Sequence, residues 1–399
     1  MPSNELIPFN NEQLPQGIRS RFIDGVNGLR MHVLEAGAHD QNRPCVVLIH
    51  GFPELAYSWR KIMPALAEAG YYVVAPDMRG YGRTTGWQGE FEDDISAFSL
   101  CRMAGDVVAL ASALGVRQVA AIVGHDFGSP VAGCCALIRP DIFRSVVLMS
   151  APFSGPLTVP FATGTITNAS GDSASTQSKD QNSAKYSTQD SLPEALAKLP
   201  HPRKHYQWYY SGPDANSEMM NSLGGLPVFF RNYYHHKSAD WAGNKVFALT
   251  APIAEEFAKL PTYYVMDLNK GMAETVAEEA PTDQQVRDCS WLTATDIEVY
   301  ASEYARGGFQ GALQCYRCNT GGRNAAELAA YSGRTIDIPS LFIAGASDWG
   351  VQQFPGDLDT LTTRFCTQMM GVHLIDGAGH WVQQEQPEAV IALLLEFLN

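Results

Sequence analysis

Gly124-His125-Asp126-Phe127-Gly128-Ser129 follows directly on the apolar run Val119-Ala120-Ala121-Ile122-Val123 and leads into a helix-forming stretch from Pro130 to Ile138. The order is strand, small–x–acid–x–small turn, helix. Such a turn is tight enough that only small residues fit beside its central one, which is pushed out at the top of the sheet. Serine usually holds that position; here it is Asp126. Serine acyl transfer is thereby disfavoured, and attack by a carboxylate becomes the leading chemistry.

Around this turn, short apolar runs alternate with amphipathic stretches. Strands are expected at Leu29–Glu35, Cys45–Ile49, Tyr72–Ala75, Val119–Val123, Ser145–Met149, Ser340–Ala344 and Val372–Ile375. Each is short and rich in Val, Ile, Leu or aromatics, as strands covered on both faces are. Helices are expected at Tyr57–Ala69, Phe98–Leu114, Phe127–Ile138 and Pro387–Leu398. This alternation predicts an α/β fold with a mostly parallel, doubly wound sheet. It stops near Ala151 and resumes near Ile338. Residues 163–191 are dense in Ser, Thr, Asn, Gln, Asp and Gly, the composition of a loop. A Tyr- and Trp-rich helical region follows, from about Pro193 to Arg317. The expected organisation is a core over 1–152 and 321–399, with a helical cap over 153–320 inserted after the strand at 145–149.

The 399 residues carry a formal charge of −14, so a nucleic-acid partner or an anionic membrane surface is disfavoured. Met1 to Arg19 lacks the apolar segment of a secretory signal, and no apolar run is long enough to span a bilayer. The C-terminal residues match no peroxisomal or prenylation address. A cytoplasmic protein is expected, with its oligomeric state open, a homodimer included. The eight cysteines are scattered. Cys315-x-x-Cys318 lacks a second pair or a His cluster at zinc-like spacing, so free thiols are the better reading and no metal is expected.

Three more pieces fit around Asp126. His50-Gly51-Phe52-Pro53 ends the strand Cys45–Ile49, where a Gly turn can aim the Phe52 backbone N–H at the site; the Phe127 N–H comes from the elbow. Two such donors stabilise a developing oxyanion. His380, in Gly377-Ala378-Gly379-His380-Trp381, follows the last strand and faces the elbow as a base. His373 lies inside a strand, and His125 is expected to point away from the solvent side. Asp348, in Gly345-Ala346-Ser347-Asp348, comes from the preceding strand end and fixes the tautomer of His380. The alternative position for this acid reads Met149-Ser150-Ala151-Pro152 and contains none. The chain order nucleophile, acid, His is that of the α/β-hydrolase family.

A carboxylate suits displacement at an sp3 carbon and is ionised near pH 7 without a base. Attack leaves an alkyl ester, which water activated by His380 hydrolyses. The core motifs and two further segments resemble the soluble epoxide hydrolases over most of the chain, from about Arg30 onward. The segments are His205-Tyr206-Gln207-Trp208-Tyr209-Tyr210 and Tyr300-Ala301-Ser302-Glu303-Tyr304, the latter followed by Gly308-Phe309-Gln310-Gly311 and Cys315-Tyr316-Arg317. The resemblance implies hydrolysis of an apolar epoxide to a vicinal diol, without cofactor or metal. It also implies ring-opening tyrosines at Tyr206 and Tyr300, with Trp208, Pro53 and Trp381 lining the substrate site. Tyr209, Tyr210, Tyr263, Tyr264 and Tyr304 are alternatives for the proton donors.

Haloalkane dehalogenases are the nearest rivals, but they place side-chain N–H donors where Phe127 and Phe52 stand here. Haloacid enzymes of the fluoroacetate type look for an Arg after the nucleophile, and Phe127 occupies that place too. A non-hydrolytic receptor or cyclase on the same scaffold is a further alternative.

Overall fold

The computed structural model describes residues 6–9, 13–38, 43–153, 155–156 and 191–399. Apart from Ser191, the polar segment 163–191 lies outside them. The strands are β1 (Ile18–Val26), β2 (Leu29–Ala36), β3 (Cys45–Ile49), β4 (Tyr72–Pro76), β5 (Val119–His125), β6 (Val146–Met149), β7 (Arg203–His205), β8 (Val265–Asp267), β9 (Ser340–Gly345) and β10 (Met369–Ile375). Eight of them form one sheet in the order β1-β2-β4-β3-β5-β6-β9-β10. β1, β2 and β4 pair antiparallel, and from β4 to β10 every pairing is parallel. Every residue of β3 is buried, which is why this strand reads as an unbroken apolar run rather than an alternation. All seven expected strands are present; β1 and the β7–β8 pair are additional.

The helices that position the site are α1 (Leu100–Ala113), α2 (Gly128–Ile138), α3 (Tyr206–Tyr210), α4 (Gly225–Lys237), α5 (Ala294–Gly307), α6 (Gln310–Thr320), α7 (Arg323–Leu328), α8 (Val382–Glu385) and α9 (Pro387–Leu398). α1 starts at Ser99, whose hydroxyl accepts from the Arg102 N–H. Leu100, Met103, Ala104, Val107, Leu110 and Ala111 make its buried stripe, at the three- and four-residue spacing of one helix face. α2 is buried almost all round, and small residues make that possible: a Cβ on Gly133 would meet the Phe153 ring at 2.2 Å. The expected helix Tyr57–Ala69 is instead a 3-10 turn, Ala56–Trp59, followed by a short helix, Met63–Glu68. Pro64 opens that helix, since a proline fits the first turn and not the interior.

α3 to α7, with the two-stranded sheet β7–β8, run between β6 and β9. α5 docks on the core through one face. Asp296 pairs with Arg60 at 2.9 Å and accepts from the Tyr57 hydroxyl at 3.0 Å; Glu303 pairs with Arg83 at 2.7 Å. Tyr300 lies between them in the helical register.

The elbow joins β5 to α2. Asp126 takes φ +52°, a left-handed conformation that costs an ordinary residue roughly 1–3 kcal/mol. A Cβ on Gly124 would lie 2.0 Å from the Gly128 oxygen, and one on Gly128 would lie 2.4 Å from the Ile49 oxygen. Both contacts are backbone, so neither can be relieved by a side chain moving aside. Gly124→Ala is therefore expected to lower the unfolding free energy by about 3 kcal/mol. Gly105→Ala, at an open position in α1, should raise it by about 0.5–1 kcal/mol. Urea denaturation of the two variants beside the parent checks both.

Candidate active site

Asp126 projects from the elbow toward two neighbours. Its Oδ1 accepts the Phe52 backbone N–H at 2.9 Å, and its Oδ2 lies 3.1 Å from His380 Nε2. Gly51 makes room for this approach, since a Cβ there would stand 2.3 Å from the Asp126 Cβ. Burial works against the charge on Asp126. The His380 ring and the positive charges around it outweigh burial and hold the carboxyl well below the usual carboxylate range. The carboxyl is thus ionised without giving a proton to a base.

His380 is held through its ring and its backbone. Nδ1 lies 3.0 Å from Asp348 Oδ1, which also accepts the Gly350 N–H at 2.7 Å. The His380 N–H donates to the Lys237 carbonyl at 2.9 Å, and its own carbonyl accepts from His125 Nε2 at 2.7 Å and from the Ser150 hydroxyl at 3.2 Å. Glu385, on α8, accepts the N–H groups of Gly379 and Trp381, each at 2.9 Å, and of Ala239 at 2.8 Å. One carboxylate therefore ties the His380 loop to the segment after α4. Burial and the Lys237 charge lower the pKa of His380, but Asp348 and Asp126 raise it more, leaving it above its ordinary value. Burial opposes the Asp348 charge, yet His380 and the Gly350 N–H keep that carboxyl below its ordinary value.

Behind the elbow lies a support that the sequence reading did not single out. Glu54, fully buried, receives His125 Nδ1 at 2.6 Å, the Gly51 N–H at 3.2 Å and the side-chain amides of Gln383 and Gln384 at 2.9 and 3.0 Å. His125 thus points inward, as expected, and connects Glu54 to the His380 carbonyl. The signal was the carboxylate directly following His50-Gly51-Phe52-Pro53.

One cavity opens on Asp126, Phe127 and His380. Tyr206 lines it, with its hydroxyl 3.3 Å from the Gln207 amide nitrogen and 3.4 Å from the Gln353 amide oxygen. Tyr316, on α6, lines it as well. Its ring packs on Tyr206 (centroids 5.9 Å), Phe52 (5.5 Å) and Phe127 (6.0 Å), and its hydroxyl has no hydrogen-bond partner among the described residues. Burial pushes the phenol pKa of both tyrosines well above the ordinary value, so both are protonated donors.

Tyr300 does not reach this cavity. It sits on the docking face of α5, where its hydroxyl meets Ser58 Oγ at 2.9 Å and donates to Gln384 Oε1 at 3.3 Å. The expectation that Tyr300 faces the substrate is corrected on this ground. Its helical register with Asp296 and Glu303 puts it on the face of α5 that meets Ser58 and Gln384, while Tyr316 stands on the cavity wall. Trp208, Pro53 and Trp381 are likewise absent from the cavity lining. Trp208 packs edge-on against His205 at 5.3 Å. Trp381 stacks on Tyr234 at 4.2 Å and donates its indole N–H to the Tyr234 carbonyl at 2.9 Å. Pro53 is buried in the turn after β3. Gln207, Tyr264 and Gln353 line the cavity instead; of these the sequence marked Tyr264 only as an alternative proton donor.

Comparison with known proteins places this geometry. Residues 44–387 match the family model described as alpha/beta hydrolase fold. The chain is 31% identical to epoxide hydrolase B of Mycobacterium tuberculosis, over 93% of this chain and 96% of that protein. It is 32% identical to epoxide hydrolase A of the same organism, over 95% and 97%. Among solved structures, an epoxide hydrolase from an endophytic Streptomyces superposes with a TM-score of 0.72 at 29% identity, covering 96% of each chain. Potato (Solanum tuberosum) epoxide hydrolase I gives 0.68 at 27%, covering 96% of this chain and 99% of that one. The chain belongs to the α/β-hydrolase fold family and, within it, to the epoxide hydrolases.

Proposed function

We propose that the protein opens an epoxide to a vicinal diol through an ester on Asp126. The supporting observation is the placement of an ionised carboxylate and two protonated phenols, Tyr206 and Tyr316, on the wall of one cavity. In the first half-reaction, Asp126 Oδ forms a bond to a ring carbon while the C–O bond of the strained ring breaks. The departing oxygen is held by both phenols and takes a proton from one of them, which recovers it later. In the second, His380 Nε2 takes a proton from water as the water oxygen bonds to the Asp126 carboxyl carbon. The Phe52 N–H, already aimed at that carboxyl, holds the oxyanion together with the backbone N–H of Phe127. Collapse expels the diol oxygen, which takes the proton from the imidazolium, and a free carboxyl remains and ionises. Asp348 orients the imidazole and stabilises its cation.

Leu100, Pro130, Phe153, Leu328, Val351 and Phe354 line the rest of the cavity and favour an apolar substrate. A halide would lack side-chain N–H donors at Phe52 and Phe127, so displacement of halide is the poorer reading. The segment 153–320 serves as the cap that supplies both phenols. Eight free cysteines fit a reducing compartment such as the cytoplasm, where no helix among the described residues is long and apolar enough to cross a membrane.

Asp126→Ala is expected to abolish diol formation, with a loss of at least about 10⁴-fold; substantial residual turnover of styrene oxide would reject the nucleophile. His380→Gln should stop after the first half-reaction, and intact-protein mass spectrometry should then show an increment of one substrate mass. Tyr316→Phe and Tyr206→Phe should each slow ester formation by about 10²-fold. Tyr300→Phe should leave that step near the parental rate and lower thermal stability only. Single-turnover quenched-flow on the three variants separates the two roles.

A further inference from the structure

Lys237 closes α4 and is buried, at 3% exposure. Its Nζ sits among four rings: 5.0 Å from the Tyr264 centroid, 5.4 Å from Trp381, 5.5 Å from Tyr233 and 5.7 Å from Tyr263. Among the described residues no carboxylate pairs with it at ion-pair distance. An ammonium taken out of water without a direct counter-ion is costly, and ring faces repay only part of that cost. Buried carboxylates offset more of it, but burial remains the larger effect and leaves the Lys237 pKa below its ordinary value. Asp126, Asp348 and Glu54 all favour the charged form of Lys237, against burial, which lowers its pKa. The cation is thus held at the back of the reaction centre by its field rather than by a contact.

The proposal rests on the ester reading above. We infer that Lys237 is a positioning charge that keeps His380 in its base form while the alkyl ester on Asp126 is broken down. The charge balance around the imidazole explains how. Before attack, Asp126 and Asp348 both favour the imidazolium, and Lys237 opposes it. Attack converts the Asp126 carboxylate to a neutral ester. Asp348 then remains alone against Lys237, and the imidazolium loses the support that outweighed the cation. His380 releases its proton at the stage where it must accept one from water.

The other groups around the imidazole do not substitute for this charge. From β5, His125 packs on His380 at 5.1 Å between centroids and is itself bonded to Glu54. From α8, Glu385 is engaged by three backbone N–H groups; burial pushes its pKa up to about 8, so it titrates in both parent and variant and its effect is common to the compared limbs. On the cap side, His235, His236 and Asp240 flank Lys237 in sequence; burial lowers the pKa of both histidines, leaving them neutral near pH 7. Tyr233, Tyr263 and Tyr264 have phenol pKa values raised by burial and stay uncharged.

The test is the pH dependence of ester breakdown, followed by quenched-flow and intact mass after mixing excess enzyme with styrene oxide between pH 5 and 9. Lys237→Met keeps an aliphatic stem in the ring box and removes the charge; Lys237→Arg keeps the charge. The acid limb of breakdown is expected to move up by about one pH unit in the Met variant and to stay near its parental position in the Arg variant. A limb that stays in place in the Met variant, with breakdown slowed alike at every pH, overturns the inference in favour of packing alone. An equal upward displacement in the Arg variant overturns it as well. Should the Met variant not fold, Lys237→Gln carries the same comparison. Failure of the parent itself to form an ester would instead reject the underlying reaction scheme.

Discussion

The left-handed turn at Asp126 is the constraint on which everything else depends. A carboxylate can stand clear of the sheet, in the cavity, only if its backbone leaves the sheet sharply, and that departure requires φ +52° at a residue with a side chain. The strain persists because the surroundings over-determine it. The Asp126 N–H bonds to the Met149 carbonyl of β6, and its own carbonyl accepts from Ser129 at the start of α2. Gly124, Gly128 and Gly51 then permit backbone and carboxylate to approach where no Cβ fits. The chemistry and the local fold are therefore one feature, since the glycines that allow the turn also admit the Phe52 N–H to the carboxylate.

A second dependence runs between core and cap. His380 belongs to the core by sequence, yet its N–H bonds to Lys237 and its loop shares Glu385 with Ala239. On the other side of the cap, α5 is anchored through Arg60, Tyr57 and Arg83. Breaking one such buried ion pair typically costs about 3–5 kcal/mol, so α5 is fixed at these points. That rigidity fixes where Tyr206 and Tyr316 stand on the cavity wall.

Most of the parallel sheet was legible because strands buried on both faces are continuous apolar runs, and their ends carry the motifs. β1 escaped notice because only Ile18, Ile23 and Val26 are buried in it and a bulge interrupts its pairing between Ile23 and Val26. β7 and β8 are three residues each, too short for any period. Within the site, Asp126, His380 and Asp348 were readable because each stands at a strand end, a place that topology alone defines. The second phenol was not, because a helix presents a residue by its phase. Tyr300 and Tyr316 both lie in segments that resembled the family, but Tyr300 shares a face with Asp296 and Glu303, and that face is spent on docking. Lys237 gave no sequence signal, since a buried lysine is identified only by the rings and carboxylates that other elements bring to it.

The burial of so many charges in one place depends on how they are paired. Asp126, Asp348 and Glu54 would repel each other if left alone in a low-dielectric interior. His380 offsets Asp126 and Asp348 by contact, and the ammonium of Lys237 acts on them through its field. The arrangement therefore keeps the Asp126 carboxyl ionised in a buried site, through the His380 ring that contacts it and the positive charges around it.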